Sequence, residues 1–593
     1  MKLIFVAILF LTIGGSVFSQ SNKWQTFYEK SGYMDSPPYD STINFCKKMC
    51  DESDIMEYVS IGKSAGGYDI PMIIVSSEKK FTSGDAKKSG KLVILIEASI
   101  HAGEPDGKDA GMMLLRDMAI HKKHLNLLDN MIILFIPVMN PDGDLRYGPY
   151  NRINQNGPEN MGWRTNSQNL NLNRDFLKAE TPEMQSWHKM FTQWLPDLFI
   201  DCHTTDGADY QYSLTYGLEI YGNMEDGLTK WQKDKYLPYA EKKMKESGHK
   251  IFPYIMFKEW HDPRSGLESW VGSPALSEGY TAIRNRIGIL LETHMLKPYK
   301  TRVDATFEMI RHTLEFVNSD PNELKKINRT ADDKCKTAEF RKKPYVIEYE
   351  TSVEKTQVPF EGFAYHMEIS DLTGGPWFKY SDTASTFMID FYNKQVPVSY
   401  VTIPEAYIIP PAYSFIAERL KLQGVEIQYL SEEKNITVES YKFTEYEFDN
   451  RPYEGKMRLN NFKTNDIKET RTFPKGSAVI FTNQSTVLLI LHALEPKGPS
   501  SFLRWGYFNA IFEQKEYSET YVMEKLAREM LEKDPVLKAE YEKIKKDNPE
   551  FAKNQWLQCN WFYQRTNYGD AFMGVYPVGK VADLKEVSGG LGE

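Results

Sequence analysis

Three times in this 593-residue chain a histidine stands three positions before a glutamate: His101-Ala-Gly-Glu104, His312-Thr-Leu-Glu315 and His492-Ala-Leu-Glu495. A turn after a strand can point such a pair into one space, where an imidazole and a carboxylate can share a divalent cation. Eleven histidines make about one such match reasonable by chance, so the surroundings must choose. The first copy follows the apolar run Leu92 to Ser99 and passes through Gly103, Pro105 and Gly107 into a helical pattern. That is a loop at the carboxyl end of a buried strand, where open α/β sheets place ligands. The other two copies lie within or beside helical patterns, with no second ligand cluster attached, and read as surface or packing residues.

A structural zinc site closes with four protein ligands, whereas a catalytic one uses three and keeps a position open for water. His203 is the best candidate for the third ligand, because it stands two residues beyond the run Asp197 to Asp201, again at a strand end. His121 and His124 flank Lys122 and Lys123 and read as a solvated face. The run Ile287 to Leu291 delivers Glu292 from an otherwise apolar segment. A carboxylate beside a metal-activated water is what general-base catalysis requires. Each group alone has a bland reading, as a hydrogen-bonded histidine or an ion-paired strand end. Four strand-end groups from three segments are much harder to assign to accident.

These groups need a scaffold. Leu92 to Ser99, Met131 to Met139, Asp197 to Asp201 and Ile287 to Leu291 are short, nearly unbroken apolar runs, as strands covered on both faces require. Helix-period stretches such as Asp106 to His121 and Thr181 to Leu195 separate them, and Tyr58 to Ser77 reads as a hairpin around Gly66-Gly67. The alternation implies an α/β fold with a largely parallel or mixed central sheet. The balance of 72 Lys plus Arg against 81 Asp plus Glu, net −9, argues against a general nucleic-acid binder. Leu3 to Ile13, preceded by Lys2 and followed by small residues up to Ser19, reads as a signal peptide cleaved after Ser19 and sending the chain to a secreted or periplasmic location. The run is too short to span a membrane, which takes about twenty residues, and no later one reaches that length. Five cysteines do not make a disulfide scaffold; one bond or none is expected, with Cys46 and Cys50 the close pair.

In order along the chain, Ile61-Gly-Lys-Ser, His101-Ala-Gly-Glu104, Asn140-Pro-Asp-Gly143, Trp163-Arg-Thr-Asn166, Leu172-Asn-Arg-Asp175, Asp201-Cys-His203 and Leu291-Glu-Thr293 together resemble the zinc metallocarboxypeptidases related to carboxypeptidases A and B. The resemblance covers roughly residues 55 to 320. It implies a three-layer α/β/α sandwich with a mixed central sheet, one Zn²⁺ per chain on His101, Glu104 and His203, and Glu292 as general base. It also implies that Arg164 polarises the scissile carbonyl and that Asn173 and Arg174 grip the terminal carboxylate of a peptide or protein substrate. Tyr280 is the nearest match to the family's substrate-covering tyrosine, although it lies closer to Glu292 than the family spacing. Asp175 departs from the pattern, since a neutral residue often follows the carboxylate-gripping arginine.

The expected organisation is a signal peptide over 1–19, an N-terminal segment over 20–54, the catalytic domain over 55–320, a polar linker over 321–343 and a C-terminal α+β accessory region over 344–593. An acidic floor for the specificity pocket would need Glu268 or Glu278, each of which reads more readily as solvent-facing. The leading function is a secreted zinc carboxypeptidase, with no nucleic acid and no membrane span among its partners. The alternatives are a zinc amidohydrolase acting on a small-molecule or cell-wall amide, motivated by Asp175 and the tyrosine spacing, and a non-catalytic peptide-binding protein, against which the full ligand set and Glu292 argue.

Overall fold

The protein's structure, a computed structural model, describes residues 23–587 and Leu591; the expected signal peptide lies outside them. Its centre is an eight-stranded mixed sheet. The strands are β1 (Met56–Lys63), β2 (Asp69–Val75), β3 (Leu92–Ala98), β4 (Met131–Ile136), β5 (Leu198–Thr205), β6 (Leu214–Leu218), β7 (Ile251–Pro253) and β9 (Ile287–His294), with the short β8 (Leu267–Glu268) outside this sheet. The order across it is β1-β2-β4-β3-β5-β9-β6-β7. The neighbours β4, β3, β5 and β9 run parallel, and the hairpin β1–β2 and strand β6 join antiparallel.

Every residue of β3, β4, β5 and β9 is buried, as the apolar runs require. Successive side chains alternate between two cores. Leu92, Ile94 and Ile96 of β3 pack with the helices Asp106–Ala119 and Tyr299–Ser319 on one face. Val93 and Leu95 pack with Met184, Trp187 and Phe191 of the helix Pro182–Trp194 on the other. Helices thus cover both faces of a mixed sheet, giving the three-layer arrangement.

Residues 321–343 depart from the expected linker: they form the helices Pro321–Cys335 and Ala338–Arg341. Leu324, Asn328, Ala331 and Cys335, spaced three or four apart, make a narrow buried stripe among the charged residues. That stripe is what anchors a segment whose overall composition reads as solvated. The C-terminal region shares strand pairing and core with the residues before it. Strand β8 pairs in parallel with β12 (Pro376–Tyr392), which is paired to β11 (Thr356–Ile369). Strands β10 (Tyr345–Thr351) and β13 (Gln395–Val401) form a separate antiparallel pair. The remaining strands, β14 (Ala406–Ile409), β15 (Gln428–Tyr429), β16 (Lys434–Phe448), β17 (Leu459–Phe473), β18 (Ala478–Phe481) and β19 (Gly579–Val581), build a six-stranded sheet. Its helices contribute Ile416, Leu420 and the Val487 to Leu491 run to the same core as Trp187. All five cysteines, Cys46 and Cys50 included, are free thiols.

The helix after the first His-x-x-Glu motif lies directly on the sheet because two glycines face it. A Cβ on Gly107 would stand 2.3 Å from Cys202 Cβ, and one on Gly111 would stand 2.3 Å from Phe135 Cε2. Both figures are far inside contact distance, and the neighbours are themselves packed. Gly111→Val should therefore destabilise the protein by about 1–3 kcal/mol through overpacking. Urea unfolding checks this, and an unchanged midpoint contradicts the packing described.

Candidate metal centre and active-site cleft

Parallel strands β3, β5 and β9 lie side by side, so their carboxyl ends open into one region. The loop after β3 turns through Ser99, at φ +56°, and closes with Glu104 N donating to His101 O at 2.9 Å. His203 on β5 sits directly opposite Glu292 on β9 in the strand register. Ligand atoms from His101, Glu104 and His203 all fall within 4.8 Å of one another. His203 Nδ1 lies 3.2 Å from His101 Nδ1 and 3.0 Å from Glu104 Oε2, while His101 Nδ1 lies 3.2 Å from Glu104 Oε1. All three residues are buried.

The outer ring nitrogens are also engaged. His101 Nε2 is 2.9 Å from Asn171 Oδ1, and His203 Nε2 is 2.8 Å from Asp201 Oδ2. An oxygen acceptor at each Nε2 favours a proton there, so that in the neutral ring it is Nδ1 that faces inward, the tautomer a metal ligand needs. Burial lowers the His101 pKa to about 4, against the pull of Glu104, so this ring is neutral. Burial would lower His203 too, but Asp201 and Glu104 overcome it and drive its pKa well above the ordinary value. Burial raises Glu104, yet His101 and Arg152 outweigh it and hold the carboxyl well below the usual range. Two nitrogens and one carboxylate, with second contacts already satisfied and one side open to a cleft, suit a three-ligand Zn²⁺ site.

The cleft encloses about 670 Å³ and is lined by the ligand cluster, Arg164, Asn173, Arg174 and Glu292. Arg164 Nη1 donates to Glu104 Oε1 at 3.1 Å, with its side chain partly open to solvent. The Asn173 amide lies 3.4 Å from His203 Nε2. Burial raises the Glu292 carboxyl to about 8, opposed by His203 and reinforced by Glu104. Of the other two His-x-x-Glu copies, His312 bonds Ser247 and Glu315 on its helix, and His492 contacts Tyr345 in a core. The Asn140-Pro-Asp-Gly143 turn plays a structural part, because Asn140 Nδ2 donates to Ile100 O and Arg164 O, both at 3.3 Å, and so ties the ligand loop to the arginine loop.

Two expectations fail. Tyr280 is fully buried in the core against Phe176, Trp187 and His188, and its hydroxyl accepts from Arg284, so it does not face the cleft. Its neighbours in the helix Ser277–Ala282 are all buried as well, which fixes its direction inward. The tyrosine that lines the cleft is Tyr254, 3.1 Å from Thr205 Oγ1 and edge-on to Trp270. Asp175 also turns away: it accepts from Glu180 N and Thr181 N and pairs with Lys178. Glu278 is buried on the cleft wall rather than solvent-facing, and burial raises its carboxyl to about 7. Glu268 pairs instead with Lys258 at 3.5 Å.

Sequence reasoning missed Arg152 altogether. It donates to Glu104 Oε1 at 2.6 Å and to Thr204 O at 3.3 Å. Gly103 makes room for it, since a Cβ there would meet Arg152 Cδ at 2.6 Å. The loop around it, Tyr147 to Asn156, carries no motif; the bare glycine inside the ligand pair was the available signal. The outer hydrogen bonds make a separable test. Asp201→Asn should weaken zinc binding about 10- to 100-fold in a chelator competition. Wild-type affinity in that variant would show that Asp201 does not orient His203.

Residues 42–216 match the family model described as zinc carboxypeptidase. The chain is 25% identical to Carboxypeptidase 2 of Trichophyton rubrum over 487 residues, spanning 79% of this chain and 84% of that protein. It is 24% identical to Carboxypeptidase 2 of Trichophyton tonsurans over 488 residues, with the same coverage of 79% and 84%. Among solved structures, carboxypeptidase A from Helicoverpa armigera aligns at 13% identity and a TM-score of 0.36, over 50% of this chain and 74% of that one. The ligand triad His101, Glu104 and His203 lies inside the segment that matches the zinc carboxypeptidase family model, and the base candidate Glu292 stands on the strand beside His203.

Proposed function

We propose that the protein is a secreted, zinc-dependent carboxypeptidase that cleaves the C-terminal bond of peptides, with Glu292 as general base. The observation that carries this reading is the register of β5 and β9, which sets Glu292 beside His203 and so beside the His101, Glu104, His203 cluster. A zinc ion on those three residues supplies a Lewis acid that brings the pKa of water to about 7. Glu292, raised to about 8 by burial, can hold a proton near neutrality, and the positive charge of a bound cation would draw it back down. Its carboxylate is thereby suited to take a proton from the attacking water and deliver it to the leaving amine.

Arg164 stands over Glu104 with its side chain partly in solvent, free to turn toward a substrate carbonyl and stabilise developing negative charge. Arg174 on the same cleft offers a planar guanidinium for a terminal carboxylate. The apolar run at Leu3 to Ile13 supports export. Among the described residues, no helix is long and apolar enough to cross a membrane. The small-molecule amidohydrolase reading loses its main motive, because Asp175 is committed to backbone amides away from the cleft.

Glu292→Gln should retain one zinc per chain while kcat falls about 10²- to 10⁴-fold, the range of lost general-base catalysis. Full turnover in that variant rejects the assignment. Chelation should abolish hydrolysis and added zinc restore it. Peptides with a free C-terminus should be cleaved and their C-terminal amides resisted; indifference to amidation would instead favour an amidohydrolase.

A further inference from the structure

The loop that carries Asn171 and Arg174 is held from outside the catalytic sheet. Between β16 and β17 the chain makes a two-residue turn, Tyr453-Glu454-Gly455-Lys456, closed by Tyr453 N to Lys456 O at 2.9 Å and Lys456 N to Tyr453 O at 3.0 Å. Its central residues have φ +48° and +71°, the left-handed pair in which asparagine or glycine usually comes first. Glutamate at that first position runs against backbone preference, a pattern that concentrates at functional sites. The Glu454 carboxylate accepts from Asn171 N at 2.8 Å, and Asn171 is the residue that holds His101 Nε2.

One position earlier, the Tyr453 hydroxyl accepts from Arg174 Nε at 3.0 Å. The Tyr453 ring is stacked on buried Trp505 at 6.0 Å and 17°, so the hydroxyl is held in place. Arg174 Nη1 donates to Asn173 O at 2.5 Å. A guanidinium has five N–H groups. With Nε committed to Tyr453 and one Nη1 hydrogen to Asn173, the other Nη hydrogens are left for a carboxylate in the cleft. A partly exposed contact of this kind adds little to stability. Its consequence lies in where it aims the charge.

Resting on the carboxypeptidase reading above, we propose that Tyr453 is a positioning residue of the substrate-carboxylate site. The C-terminal region thus completes the active site by fixing Arg174, with Glu454 pinning the turn to the ligand loop.

The test uses full-length, zinc-loaded protein in the Glu292→Gln background, so that ligand is not consumed. Calorimetry compares N-acetyl dipeptides of varied last residue with their C-terminal amides, with and without Tyr453→Phe, which keeps the ring stack. Tyr453→Phe should bind the free acids about tenfold more weakly, leaving amide binding, zinc content and melting temperature unchanged. Undiminished acid binding, in a protein that still prefers acids to amides, overturns the inference and leaves the carboxypeptidase reading standing. Equal weakening for acids and amides also overturns it. If the parent protein does not distinguish acids from amides, the carboxypeptidase reading fails first and the inference with it.

Discussion

Two imidazoles and a carboxylate are held inside 4.8 Å of one another in a buried site, and the rest of the structure follows from what that costs. Like-charged or like-protonated groups at this distance repel, and removing them from water penalises any charge left unbalanced. The protein meets the constraint with a graded set of partners. Asn171 and Asp201 orient the rings from behind, while Arg152 and Arg164 balance Glu104 from the side. Deeper still, Glu97 accepts from Trp187 Nε1 at 2.6 Å and lies beside Asp201 in the β3–β5 register. Burial, then the neighbouring Asp201, drives the Glu97 carboxyl well above its ordinary value.

Parallel strands make this convergence possible. Because β3, β5 and β9 share a direction, one end of the sheet collects the ligand loop, His203 and Glu292 without any long excursion of the chain. Gly107 and Gly111 let the helix after the ligand loop sit against that sheet, which keeps the loop short and Glu104 inside the cluster. Fold and site are in this sense one solution: the packing that buries the strands also desolvates the donors.

Much of this was legible in the sequence. Unbroken apolar runs marked the buried strands, and strand-end placement separated His101 and Glu104 from the two decoy pairs at His312 and His492. What escaped depended on direction or on distance along the chain. Tyr280 has a tyrosine's chemistry but belongs to a helix whose residues are all buried, so its ring points into the core and Tyr254 occupies the cleft. Arg152 lies in a motif-free loop, and only the missing side chain of Gly103 betrays where it goes. The stretch over 321–343 is polar in composition, and its stripe of four buried residues is too sparse to outweigh that without a partner surface to see. The shared core containing both Trp187 and Leu420, and the turn that reaches Arg174, are long-range facts that no local pattern encodes.

The zinc ion proposed for His101, Glu104 and His203 has a coordination shell that can be observed without any assay. Zinc-edge X-ray absorption on protein loaded with one equivalent should show a first shell of nitrogen and oxygen near 2.0–2.1 Å, outer scattering from two imidazoles, and no sulfur. A sulfur shell near 2.3 Å, as Cys202 would give, or the absence of imidazole scattering would contradict the account.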